Sequence, residues 1–134
     1  LGAHRLNHLG TFDESRMAGL LAAVEFLNTL EMSRIEARVR YLRNRLETGI
    51  RSLPGVTVAT PSREELKAGM VSFSLDGLDS LELQRHLGQA ARIRSRVIGE
   101  YGYEWMRLST HFYNHPAELD ETLEQLDRAA RNGI

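Results

Sequence analysis

Arg107 stands between Met106 and Leu108 in Trp105-Met106-Arg107-Leu108-Ser109, a run that reads as a β-strand. Alternation along a strand sends its side chain to the face opposite Met106 and Leu108, and a guanidinium held rigidly by a sheet is a two-pronged clamp for a carboxylate. A strand arginine paired with a glutamate inside the fold would have the same signature. Arg92, Arg94 and Arg96 alternate with Ile93, Ser95 and Val97. On one strand the three would form a row able to receive anions, although a solvated edge or a subunit contact would present the same row. Two histidine pairs, His4 with His8 and His111 with His115, have the i, i+4 spacing that lets two imidazoles meet one metal ion. Tyr113-Asn114 reads as a turn, Pro116 follows at once and no carboxylate stands at the companion spacing, so the expectation is turn or surface histidines and no metal. Lys67, the only lysine, follows Glu64-Glu65-Leu66 in what reads as a solvated loop, where nothing would lower its pKa to make a nucleophilic amine. The absence of cysteine removes disulfides, thiolate zinc sites and thiol catalysis.

These residues need elements to position them. Met17, Leu20, Leu21, Val24 and Leu27 recur at helical spacing, and Thr11 with Glu14 has the form of a capping box, which predicts a helix from about Asp13 to Thr29. Ser33 and Glu36 suggest a second box, after which Ile35, Val39, Leu42, Leu46, Ile50 and Leu53 predict a long helix ending at Pro54-Gly55. Val56, Val58 and Thr60 alternate as a short strand, and Met70 to Leu75 reads as another, closed by Asp76-Gly77. Asp79 and Glu82 can cap a helix carrying Leu81, Leu83 and Leu87, with Gly88 as its stop. A strand over Ile93 to Val97, a turn over Gly99 to Gly102, the strand of Arg107 and a helix from Pro116 with Leu119, Leu123 and Leu126 complete the chain. The order α-α-β-β-α-β-β-α predicts an α/β (α+β) domain: two N-terminal helices, then a small, mostly antiparallel sheet of about four strands with covering helices.

Length and composition agree with one domain over residues 1–134, since 134 residues with 42% hydrophobic and 26% charged side chains can bury a core. Seventeen basic against 18 acidic residues leave no surplus to hold a nucleic-acid backbone. No apolar run reaches the roughly 18 residues of a membrane span and no signal pattern opens the chain, which reads as soluble and cytoplasmic. A first residue of Leu rather than Met suggests a piece of something longer.

The run Met106-Arg107-Leu108-Ser109-Thr110-His111-Phe112-Tyr113-Asn114, followed by Pro116-Ala117-Glu118-Leu119-Asp120 and a helix, resembles the C-terminal motif of class V aminotransferases. These are pyridoxal-phosphate enzymes of fold type I, and they include cysteine desulfurases and isopenicillin N epimerase-like proteins. Agreement continues in Gly10-Thr11 before the first helix, in Leu53-Pro54-Gly55-Val56, in Thr60-Pro61 and in Gly69-Met70-Val71-Ser72-Phe73. The resemblance implies the C-terminal small domain of a longer, homodimeric enzyme acting on an amino acid. It implies that Arg107 binds the substrate α-carboxylate, that Thr11 reaches the cofactor phosphate of the other subunit, and that Arg96 lies near a second family arginine. A helix N-terminus at Thr11 would also favour phosphate. The Schiff-base lysine, the aspartate on the pyridine nitrogen and the stacking aromatic belong to the family's large domain, so the chain alone is expected to be inactive. Desulfurases carry a cysteine in the loop that here is Ile98-Gly99-Glu100-Tyr101-Gly102-Tyr103-Glu104, which has none; the usual thiolate route is disfavoured. The wording of Gly10 to Asp13 and of Ser109 to Asn114 leans to the epimerase-like and C–S lyase-like branch. The residues by themselves also allow a free-standing α/β module that binds small anions or regulates, or an interaction domain built on the helix from Ile35 to Leu53.

Overall fold

In a computed structural model of the protein, the structure describes residues 13–134. The described chain divides after Arg34 into two compact units. The first contains helix α1, Glu14–Leu30, whose N-cap is Asp13: its carboxylate accepts the backbone N–H of Arg16 at 3.3 Å. Thr11, the cap expected from the sequence, lies outside the described residues. Glu31, with φ of +64°, breaks the helix, and α2 begins at Met32 rather than behind a cap at Ser33. Glu36 forms no capping box there; its carboxylate instead accepts from Arg40 at 2.9 Å, the ordinary i, i+4 pairing of a helix surface.

The second unit is built around a four-stranded sheet. Helix α2 runs from Met32 to Arg51, and β1 (Val56–Val58) and β2 (Met70–Leu75) follow. Helix α3 (Ser80–Ala91), β3 (Arg96–Ile98), β4 (Trp105–Ser109) and α4 (Pro116–Asn132) complete the unit. The strands lie in the order β1-β2-β4-β3 with every neighbour antiparallel, as the mixed αβ order predicts. Two short 3-10 turns, Glu64–Leu66 and Glu100–Gly102, sit in the connections.

Alternation decides the two faces of the sheet. Val71, Phe73 and Leu75 of β2 and Met106 and Leu108 of β4 point to one side and are buried with Leu42, Leu46 and Ile50 of α2, Leu83 and Leu87 of α3, and Leu119, Leu126 and Ala129 of α4. Each such apolar side chain contributes about 1.5–3 kcal/mol on leaving water, so this face specifies the register of the strands. Gly69, just before β2, lets two elements close up: a Cβ there would lie 2.9 Å from the backbone oxygen of Thr110 and 2.6 Å from Val39.

Two local expectations are corrected. Gly88 lies inside α3, which continues to Ala91 and is closed by Arg92 in the left-handed region, φ +55°, with its N–H on the Leu87 carbonyl. A glycine stops a helix only where the backbone needs positive φ, and here that position falls four residues later. In consequence Arg92, Arg94 and Arg96 do not form one row. Arg92 is a helix cap, Arg94 lies in the connection, and Arg96 alone is on β3.

Candidate functional site

With α2, α3 and α4 packed on one side, the other face of the sheet carries Ser72 on β2, Trp105, Arg107 and Ser109 on β4, and Arg96 and Ile98 on β3. Arg107 occupies the middle. Its Cα faces Ser72 across one ladder and Arg96 across the other. Two guanidinium-bearing residues thus stand directly opposite each other, an arrangement that costs stability unless an anion offsets the repulsion. The compensation in place is slight. Arg96 meets Glu100 at 3.8 Å with both side chains mostly in solvent, and such a pair contributes little. Arg107 makes no ion pair among the described residues, and its half-buried side chain has a buried Nε without a hydrogen-bond partner. The expected strand geometry therefore holds: the guanidinium is turned away from Met106 and Leu108, onto the face opposite the core, with its Nε–H unpartnered.

A cavity of about 390 Å³ opens on the same face. Its floor includes Ser72 and Trp105, both next to Arg107, together with Met70 and Ile98, and its walls are Pro61 and Leu66 on one side and Tyr103 on the other. Trp105 and Ile98 are register partners, so strand pairing brings these two apolar side chains together. The wall over residues 59–68 is tied down by hydrogen bonds from Ala59 N–H to Ser72 O at 2.8 Å and from Ser72 N–H to Thr60 Oγ1 at 2.8 Å.

Lys67 is not in a solvated loop. Its side chain is 11% exposed, and its Nζ donates to both carboxylate oxygens of Glu47, at 3.0 and 3.1 Å. Glu64 stands 3.7 Å away. The fully buried Arg43 joins the cluster by donating to Glu47 at 3.1 Å and to Glu64, while Arg51 reaches Glu47 at 2.7 Å. Burial alone would push the Glu47 carboxyl up, but the hydrogen bonds from Arg51, Lys67 and Arg43 and the charge of Lys67 outweigh it and hold it below the ordinary glutamate value. The hydrogen bond from Arg43 does the same to Glu64 against a smaller desolvation. An ammonium held between two carboxylates is not an amine poised to attack a carbonyl. The chain's only lysine therefore does not fit the lysine that holds pyridoxal phosphate.

The remaining candidates separate. His115 is the N-cap of α4: its Nδ1 accepts the Ala117 N–H at 3.2 Å, and Glu118 answers by accepting the His115 N–H at 2.9 Å. His111 stacks on Tyr113, ring centroids 4.6 Å apart. Both are thus turn residues, and no group of three metal-binding side chains occurs among the described residues. Thr11, His4 and His8 lie outside them. No described helix is long and apolar enough to cross a membrane. Sequence reasoning missed the cavity and the ionic cluster. The i, i+4 spacing of Arg43 and Glu47 and the i, i+3 spacing of Glu64 and Lys67 were available signals for the second; for the cavity there was none.

A family model, aminotransferase class V, matches residues 3–122. Isopenicillin N epimerase of Streptomyces clavuligerus is 32% identical over 127 residues, 94% of this chain and 32% of that protein. The apo structure of cysteine desulfurase from Thermococcus onnurineus NA1 superposes with a TM-score of 0.81 at 24% identity, over 91% of this chain and 32% of that one. A complex of the cystine C–S lyase C-DES with cysteine persulfide gives 0.75 at 24% identity, over 90% and 31%. The two superpositions show a shared fold, and the chain spans about a third of the length of each of these proteins. From the family match and the relative that agrees across nearly all of it, the chain belongs to the class V aminotransferase family.

Proposed function

We propose that this chain is the C-terminal small domain of a pyridoxal-phosphate enzyme acting on an amino acid, and that Arg107 binds the substrate α-carboxylate. One observation carries the reading: Arg107 sits on the face of the sheet opposite the core, beside Arg96, with a buried, unpartnered Nε and no carboxylate partner among the described residues. A planar guanidinium with free donors, held by paired strands on both sides, suits two-pronged capture of a carboxylate. Electron-sink chemistry would belong to the cofactor, whose lysine Lys67 does not supply, so the chain's own share ends at orienting the substrate. In a homodimer Thr11 would serve the cofactor phosphate of the other subunit. The branch is that of the epimerase-like and C–S lyase-like enzymes. Supporting it are the relative named isopenicillin N epimerase and a cysteine-free segment from Ile98 to Glu104.

The test is made in the enzyme that carries this chain. Arg107→Ala should raise KM for the amino acid by roughly ten- to a hundredfold, since a charge-assisted pair contributes about 1.5–3 kcal/mol. Arg107→Lys should recover little, because an ammonium keeps the charge and loses the planar fork. An unchanged KM with a lowered melting temperature would make Arg107 an ordinary structural residue and refute the proposal.

A further inference from the structure

The cavity beside Arg107 limits what the rest of the substrate can be. Ser72 faces Arg107 across the ladder and Trp105 precedes it by two residues on the same face; both line the cavity, while Arg107 itself does not, so the cavity adjoins the strand position of Arg107. A carboxylate held by Arg107 would thus lie within one residue's spacing of the hollow's lining. At about 390 Å³ it falls in the range of cavities that take small molecules and offers far more room than the side chain of cysteine would fill. Trp105, Ile98, Met70, Leu66, Pro61 and Tyr103 make its lining largely apolar. Its one charged member, Lys67, is already neutralised by Glu47, so the hollow presents no unpaired charge to a polar tail.

We propose that this cavity receives the substrate's side chain, and that the substrate class is α-amino acids with a long, predominantly apolar side chain rather than small ones such as cysteine or alanine. This inference rests on the carboxylate role of Arg107. It adds Trp105, Ile98 and Met70 as specificity residues, of which Trp105 and Met70 are presented by strands whose opposite side is packed in the core. The clamp and the pocket are then held at a constant separation by the sheet itself.

Trp105 is the chain's only tryptophan, so its fluorescence reports occupancy of the cavity directly. The 134-residue chain is titrated with straight-chain L-amino acids from alanine through norvaline and norleucine to 2-aminooctanoate, with pentylamine as the probe that keeps the norleucine tail and lacks the carboxylate. Burying one methylene corresponds to about a fourfold gain in affinity, so affinity should climb by about that factor per carbon until the cavity fills. Pentylamine should bind at least tenfold more weakly than norleucine. Met70→Glu, at an exposed position that leaves the core untouched, should flatten the series. A flat series that is still weakened by Arg107→Ala would overturn the side-chain assignment and leave the carboxylate reading standing. A series that climbs equally with and without the carboxylate, and is unmoved by Arg107→Ala, would overturn both.

Discussion

Glu47→Gln tests the ionic cluster that holds the cavity wall. The substitution keeps the shape of the side chain and removes one charge. In the native protein that carboxylate, 6% exposed, accepts from Arg51 at 2.7 and 3.0 Å, from Lys67 at 3.0 and 3.1 Å and from Arg43 at 3.1 Å. Its loss leaves Arg43 and Lys67 near one another with only the half-exposed Glu64 between them. Breaking a buried pair by removing one partner costs about 3–5 kcal/mol. Arg51 is 45% exposed and can turn to water, which places this case near the lower end, about 3 kcal/mol. For a folding unit of about a hundred residues that lowers Tm by roughly 12 °C. Lys67→Met, which leaves Glu47 with two arginine partners, should cost less. Acid dependence supplies a second arm. The native Glu47 carboxyl lies below its ordinary value, and the unfolded chain regains that value near 4.3. As pH falls past that point the unfolded state takes up the proton first, so the contribution of Glu47 is complete above it and disappears as pH drops through the lower, folded value. The Gln variant lacks this part of the slope. Differential scanning calorimetry from pH 7 to 3 reads both effects. A Gln variant within 0.5 kcal/mol of the parent at pH 7, with an identical acid slope, would refute a stabilising cluster.

Three further outcomes are expected. His115→Ala should destabilise α4 by about 1 kcal/mol through loss of the cap on Ala117, whereas His115→Asn should retain most of it; equal denaturation midpoints for parent and Ala variant would disprove the cap. Mixed with pyridoxal phosphate and borohydride, the chain should yield no stable adduct at Lys67, because the ammonium is committed to Glu47; mass spectrometry locating an adduct there would count against this. Helix α1 buries none of its residues and exposes Met17, Leu20, Leu21, Val24 and Phe26, so the chain should self-associate at micromolar concentration, and Leu20→Ser with Leu21→Ser should reduce it. Sedimentation as a clean monomer across that range would show that this apolar surface is not adhesive.

Much of the fold was legible because its signals are local. The strands Met70–Leu75 and Trp105–Ser109 emerge with the predicted bounds, since alternation of apolar and polar side chains is written in consecutive residues. The helix from Pro116 and the face of Leu119, Leu123 and Leu126 likewise follow from spacing and from a proline that suits a first turn. The failures are of two kinds. Gly88 and Ser33 could end or begin a helix, and whether they do depends on a backbone conformation that neighbouring packing selects. The arginine row required β3 to include Arg92, but the chain spends Arg92 on a left-handed cap and the strand begins only at Arg96.

What the sequence determined by itself was the succession of elements, the two faces of each strand and therefore the outward direction of Arg107, together with a motif specific enough to indicate the family. Tertiary structure alone decided what surrounds those residues. Lys67 looks solvated beside two glutamates in the chain, yet Glu47, twenty residues earlier, folds onto it and removes it from the solvent. Ser72 and Arg96 reach Arg107 only because β4 inserts between β2 and β3, and the cavity exists only because residues 59–68 close against strands far away in sequence. The physical reason is common to all of these. Periodicity reports which face of an element is apolar, whereas the partner of a charge or the wall of a cavity is set by contacts between segments whose spacing along the chain carries no trace of their meeting.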